Sequence, residues 1–490
     1  MSRTLIVWGC SSGAGKSLVA TALCRWAANQ GLDVAPYKAQ NMSNNARVVP
    51  LSEEGFGEIG AAQYFQALAA RVAPTVDMNP VLLKPEADTR SQVVLNGRVA
   101  RELGAMPWRE RSGQLALAAR EGFERLSARH ELIVVEGAGS PAEINLAPQD
   151  YVNLGVARWA RERGPTQALL VADIDRGGAF AHLHGTWALL PPDVRGLLAG
   201  FVLNKFRGDA SLLAPAPEQL QQLTGVPLLG VLPMWRDHGL PEEDGLYGAG
   251  SGGSESDALT LTILAGPHIS NLDEFQALQR LPGVRLRWAR RVAEAQGADW
   301  LILPGSKQAA ADLAWLRAQG LDALVQAHAA AGRPVLGICG GLQMLGELLA
   351  DPEGLDGPAQ VATRGLGLLP TRTTYAAPKR LRAAALRFGG LSGLWAGLSG
   401  LQTQGYEIRC GRTESAQDAV AWADDGQPIA WQRGSVLGLY AHGLFEQSEF
   451  LRALFGQAVP TLDQALDTLA QGLEAACGRD TLFRLMTESL

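Results

Sequence analysis

Short, continuously apolar runs separated by longer amphipathic stretches recur through most of this chain. Residues 4–9, 33–38, 132–137, 168–174, 196–204 and 227–232 each read as a strand buried on both faces. Helix-like segments lie between them, which predicts an α/β domain with a parallel, doubly wound sheet. The same rhythm resumes at Ala258 and continues to about Tyr440, predicting a second domain of that class. Between the two, residues 244–257 are rich in glycine and serine, a flexible composition that suits a linker. The expected division is therefore 1–243, a linker at 244–257, a second domain at 258–450 and a helical C-terminal segment at 451–490.

The first apolar run leads into Gly9-Cys10-Ser11-Ser12-Gly13-Ala14-Gly15-Lys16-Ser17, and a helix pattern follows to Asn29. A loop of this kind cradles phosphate with the backbone N–H groups around Gly13 and Gly15. Lys16 adds charge, and the Ser17 hydroxyl suits Mg²⁺. Cys10 stands where the strict phosphate-loop spacing has glycine, so Gly9 makes a loop one residue longer. Glu136 ends a buried run at the same sheet edge, as a metal-ligating or a capping carboxylate. Asn204-Lys205 stands in the position of a base-reading pair, and Arg207 replaces the aspartate that would select guanine. Asn204 is thus a candidate adenine contact. Glu58, in Gly57-Glu58-Ile59-Gly60, reads as a solvated carboxylate at the start of a helix, with a third acidic metal partner as the alternative.

In the second half, Val335-Leu336-Gly337-Ile338-Cys339-Gly340-Gly341 carries an apolar run into a small-residue turn holding a thiol, with a helix pattern after it. That is how a nucleophile is presented on a sharp strand-to-helix turn. The helix start is expected to favour the thiolate, and Gly340 to offer an oxyanion donor. A second strand ends in the Pro304-Gly305-Ser306 turn, where Gly305 is another candidate donor. His442 follows a third apolar run and is the candidate base.

This set resembles the class I glutamine amidotransferases, which release ammonia from glutamine through a thioester. Many members carry an acid two residues after the histidine; here that place is Leu444, and nothing in the sequence shows that Glu446 replaces it. The longer phosphate loop is similar to that of dethiobiotin synthetase and related corrinoid amidases, which implies that Glu136 is a metal ligand.

Composition narrows the partners. A net charge of −6 argues against nucleic acid, and no run approaches the length of a membrane span. The cysteines, Cys10, Cys24, Cys339, Cys410 and Cys477, have no paired spacing, so a reducing, cytoplasmic setting is expected. The sequence carries no signal for oligomeric state.

The most specific strings are Lys38-Ala39-Gln40-Asn41-Met42-Ser43-Asn44-Asn45, Ser140-Pro141-Ala142-Glu143-Ile144-Asn145-Leu146 and Asp173-Ile174-Asp175-Arg176-Gly177-Gly178. Together with the two motifs they resemble the cobyric acid synthase family over essentially the whole chain. That resemblance implies a carboxylate amidoligase using ATP, Mg²⁺ and glutamine as ammonia donor. Its implied substrate is a corrinoid, adenosylcobyrinic acid a,c-diamide, amidated at its b, d, e and g carboxylates. Lys38 would then stabilise charge during phosphoryl transfer. Gln40 and Asn41 are candidate substrate contacts or members of an Asn-rich turn. Asp150 and Asp175 serve substrate, metal or loop structure. The alternatives are a cobyrinic acid a,c-diamide synthase and a non-catalytic nucleotide switch.

Overall fold

The computed structural model describes residues 2–51, 55–87, 90–235, 238–240 and 258–488, so the linker expected at 244–257 lies outside the described residues. The chain forms two compact units, Met1–Leu240 with Leu462–Leu490, and Pro241–Thr461.

The first unit is built on six parallel strands. Their order across the sheet is Leu228–Pro233, Leu198–Phe206, Thr166–Asp173, Arg3–Gly9, Leu132–Glu136 and Val34–Tyr37. Each of the six apolar runs singled out in the sequence supplies one of them. Arg3–Gly9 lies inside the sheet, paired with Leu132–Glu136 on one side and Thr166–Asp173 on the other. Its side chains alternate between two cores: Ile6 and Trp8 join one, Leu5 and Val7 the other. Both faces are covered, which is why these strands show no polar alternation.

The chain's end completes the second of those cores. Helix Leu462–Cys477 presents Leu466, Leu469, Ala470 and Leu473 to Leu5, Val7 and Leu23, while Arg25 pairs with Asp463 and Asp467. The preceding helix, Ser448–Phe455, belongs to the second unit. The segment expected at 451–490 is therefore shared between the two units.

Two small sheets stand beside the main one, and one corrects a sequence expectation. Glu58 does not start a helix: it lies on strand Phe56–Gly60, paired antiparallel with Ala46–Pro50, and the helix begins at Ala61. Nor is it solvated. It is fully buried and ion-paired with the equally buried Lys84. A period-2 element of five residues next to a helix start is too short for its pattern to separate the two readings.

The second unit begins with five parallel strands in the order Val284–Ala289, Leu259–Leu264, Trp300–Leu303, Val335–Ile338 and Val436–Leu439. The sheet then turns antiparallel through Pro428–Arg433 and Ala421–Ala423 to the long hairpin Thr371–Phe388 with Gln402–Ser415. No helix among the described residues is long and apolar enough to cross a membrane. All five cysteines are free thiols.

Candidate functional site: a phosphate loop and a nucleophile elbow

The phosphate loop leaves the C-terminal end of Arg3–Gly9, where an open α/β sheet gathers its ligands. Gly13 and Gly15 both have positive φ, and a Cβ on Gly15 would lie 1.9 Å from Asn204 Nδ2. Only glycine fits there. Asn204, on Leu198–Phe206, donates from Nδ2 to Ala14 O at 3.0 Å, and Lys205 Nζ donates to Gly13 O at 2.8 Å. The Asn-Lys pair thus holds the loop from behind. Asn204 Oδ1 is buried with no hydrogen-bond partner. Lys16 folds over the loop, donating to Ser11 O and Gly139 O, each at 3.0 Å.

Glu136, at the tip of Leu132–Glu136, is almost wholly buried and receives four side chains. Oε1 accepts from Ser17 Oγ and Lys38 Nζ, both at 2.8 Å. Oε2 accepts from Gln66 Nε2 at 2.5 Å and Gln63 Nε2 at 3.4 Å. Burial works to raise the Glu136 carboxyl, but the Lys38 ammonium and these hydrogen bonds outweigh it and hold the group below its ordinary value. The two glutamines escaped the sequence reading, although their spacing of three on a helix with an otherwise apolar buried face was a usable signal.

Among the described residues no group of three or more His, Cys, Asp and Glu could hold a metal. Mg²⁺ does not require one, because it keeps waters and phosphate oxygens as ligands. Ser17 Oγ and Glu136 Oε1 are hard oxygens 2.8 Å apart. That is close to the ~2.9 Å edge of an octahedron with ~2.05 Å metal–oxygen bonds. The pair fits the ion.

Other residues expected at this site have structural partners. Asp150 caps the turn Tyr151–Gly155, accepting from Val152 N at 3.0 Å and Asn153 N at 2.7 Å, and burial pushes its carboxyl up. Asp175 accepts from Arg207 Nε at 2.9 Å. Gln40 Oε1 accepts from the Tyr151 hydroxyl at 2.5 Å, while Asn41 Oδ1 receives the N–H of Met42 at 3.0 Å.

In the second unit, Cys339 follows strand Val335–Ile338 and precedes helix Gly340–Leu345 with φ 50° and ψ −102°. A non-glycine residue held there stores about 1–3 kcal/mol of strain, as at other nucleophile elbows. The Pro304-Gly305-Ser306 turn lies across the elbow. A Cβ on Gly340 would stand 2.7 Å from Ser306 N, and one on Gly305 would stand 2.9 Å from His442 Cε1. The two glycines expected as oxyanion donors, the thiol and the histidine therefore come together.

His442 is buried and stacks on Tyr406 at 5.4 Å, while the Cys339 thiol donates to Ile408 O at 3.7 Å. Its Nδ1 lies 3.0 Å from Glu274 Oε1, and Gly443 N donates to Glu274 Oε2 at 3.2 Å. Burial opposes charge on His442, yet the facing Glu274 carboxylate and the Cys339 sulfur outweigh it and push the imidazole up to about 10.

Glu274 is the acid missing two residues after the histidine. It sits in the turn Leu272–Phe275, just past strand Leu259–Leu264, at the sheet edge that also carries Gly305, Cys339 and His442. A polar run after that strand was the only signal in the sequence.

Two family models divide the chain between them. Residues 5–244 match the CobQ/CobB/MinD/ParA nucleotide binding domain, and residues 260–450 match the CobB/CobQ-like glutamine amidotransferase domain. A cobyric acid synthase of Paracidovorax citrulli is 60% identical over 486 residues, covering 97% of each chain. That of Variovorax paradoxus is 59% identical, covering 96% of this chain and 97% of its own. The Methylibium petroleiphilum protein of the same name is 57% identical and spans 100% of this chain and 97% of its own. A phosphate-loop unit and a glutamine amidotransferase unit in one chain, with similarity along nearly its whole length, place this protein in the cobyric acid synthase family.

Proposed function

We propose that this chain is an ATP-dependent, glutamine-hydrolysing amidoligase of cobalamin biosynthesis. It converts the b, d, e and g carboxylates of adenosylcobyrinic acid a,c-diamide to carboxamides. The observation that carries the reading is the presence in one chain of a Cys-His-Glu arrangement on a nucleophile elbow and a phosphate loop facing a buried carboxylate.

At the elbow, the Cys339 thiolate attacks the carboxamide carbon of glutamine, with N–H groups of the Gly305 and Gly340 turns receiving the oxyanion. His442 gives its proton to the departing ammonia, and water then hydrolyses the thioester to glutamate. Glu274 holds the imidazole in place and favours its charged form. At the phosphate loop, a substrate carboxylate oxygen attacks the γ-phosphorus of ATP, giving an acyl phosphate and ADP. Ammonia displaces phosphate to leave the amide.

Lys16 and Lys38 offset the negative charge that spreads over the transferring group. Ser17 and Glu136 would hold Mg²⁺, which supplies further charge neutralisation at the phosphates when bound. The orphaned Asn204 Oδ1 is an acceptor, which suits the 6-amino group of adenine and not the 6-oxo group of guanine. Asp150 and Asp175 are left as supports of the loops around this site, while Gln40 and Asn41 sit beside it for the substrate's polar periphery.

Mass spectrometry of the corrinoid incubated with protein, ATP, Mg²⁺ and glutamine tests this. Stepwise exchange of four carboxyl groups for carboxamides is expected. Cys339→Ala should abolish the glutamine-driven reaction and spare the one driven by ammonium. An unchanged corrinoid with both nitrogen sources would overturn the reading.

A further inference from the structure

The turn that faces the elbow is held by a residue outside the reacting group. Asp312 lies in the first turn of helix Ala309–Ala318 and is buried. Its Oδ2 accepts from Ser306 Oγ at 2.6 Å, and its Oδ1 accepts from His268 N at 3.1 Å, with His268 Nδ1 at 2.9 Å. Ser306 follows Gly305, and its Oγ in turn receives Gln308 N at 3.1 Å. His268 O accepts from Lys307 N at 3.0 Å, Ser270 N donates to Gly305 O at 2.9 Å, and Ile269 bridges Ser306. A Cβ on Gly266 would stand 2.8 Å from Asp312 Cγ, so the loop after strand Leu259–Leu264 runs directly over this carboxylate. That loop continues into the turn carrying Glu274.

We infer that Asp312 is a positioning residue for glutamine hydrolysis. It clamps the Gly305–Ser306 turn, through Ser306, and the loop leading to Glu274, through His268, in one geometry. The inference rests on the reading of Cys339, His442 and the Gly305 turn as a glutaminase site. Asp312 touches no reacting atom. A donor aimed at the developing oxyanion must be fixed before the reaction to be effective. A carboxylate accepting from both segments at once is suited to fixing them.

The test compares Asp312→Asn and Ser306→Ala with the parent chain, using Cys339→Ala as control. Two labels are applied to the thiol: iodoacetamide, which needs only a reactive thiolate, and a glutamine-derived diazoketone, which needs the turn as well. Asp312→Asn is expected to lower glutamine-dependent kcat by roughly 10- to 100-fold with little change in KM. Diazoketone labelling should slow in parallel, with iodoacetamide labelling and ammonium-dependent amidation near parent values. Ser306→Ala should show a smaller loss of the same kind, and Ser306→Thr should restore it. Glutamine-dependent kcat near the parent value in Asp312→Asn would overturn the inference. Equal slowing by both labels, or equal loss of the ammonium reaction, would overturn it too. If Asp312→Asn does not fold, the Ser306 pair decides by the same criteria. Glutamine hydrolysis persisting in Cys339→Ala would instead remove the glutaminase reading itself.

Discussion

Glu136 and Glu274 are the two buried carboxylates around which the two sites are built, each only 1% exposed. Their partners separate them. Glu136 faces the Lys38 ammonium, which helps to hold it below its ordinary value. Glu274 faces His442, a histidine, and its carboxylate helps to push the imidazole up. A buried acid beside lysine is a fixed charge suited to metal and phosphate. A buried acid beside histidine sets the proton affinity of a base. The same side chain in the same burial does different chemistry because the neighbouring cation differs.

Breaking the second pair should have the larger effect on activity. Glu274→Gln removes the carboxylate that helps to hold His442 up, leaving only the Cys339 sulfur to oppose burial. Glutamine-dependent kcat should fall by about 10³- to 10⁴-fold while ammonium-dependent amidation persists. The alkaline limb of the residual glutamine activity should move down by roughly one pH unit or more. Steady-state profiles with both nitrogen sources check this. The sign for stability follows from the same pair. His442 is raised from 6.5 to about 10, so its contribution is complete below about pH 6.5 and is lost as pH climbs through 10. Glu274→Gln should shrink that alkaline loss and move it to lower pH.

Breaking the first pair should lower activity with either nitrogen source, because Lys38 also faces the transferring phosphoryl group, and should show in stability as well. Lys38→Met leaves Glu136 buried without its cation, at a cost of about 3–5 kcal/mol in urea unfolding. In the parent, the Glu136 contribution is present above its ordinary value and is lost as pH falls through the lowered one. Without Lys38, burial raises the carboxyl instead, so stability should fall as pH rises toward neutrality. Unfolding curves at acid and neutral pH would reveal the reversed slope.

The smallest effect is expected away from both pairs, at Asp150. Asp150→Ala removes a cap and should cost about 1 kcal/mol, with the KM for the corrinoid little changed. A large rise in that KM would return Asp150 to the substrate site.

The sequence by itself determined the alternation of buried strands and helices, the phosphate loop, the elbow cysteine and the histidine. Each of these is a local feature: a continuous apolar run, a glycine turn or a helix start is enforced by neighbours along the chain. It also placed Glu136, because a carboxylate at the tip of a buried strand is conspicuous. Tertiary structure alone decided what orients His442. Glu274 precedes it by more than a hundred and fifty positions and meets it because parallel strands deliver their C-terminal loops to one edge.

The same holds for the chain's end, which the sequence marked only as helical and whose place in a core the fold decided. Glu58 shows the reverse failure, a charged residue read as solvated that the fold buries against Lys84. Burial of a charge depends on a partner, and the partner is chosen by packing between segments that no local pattern connects.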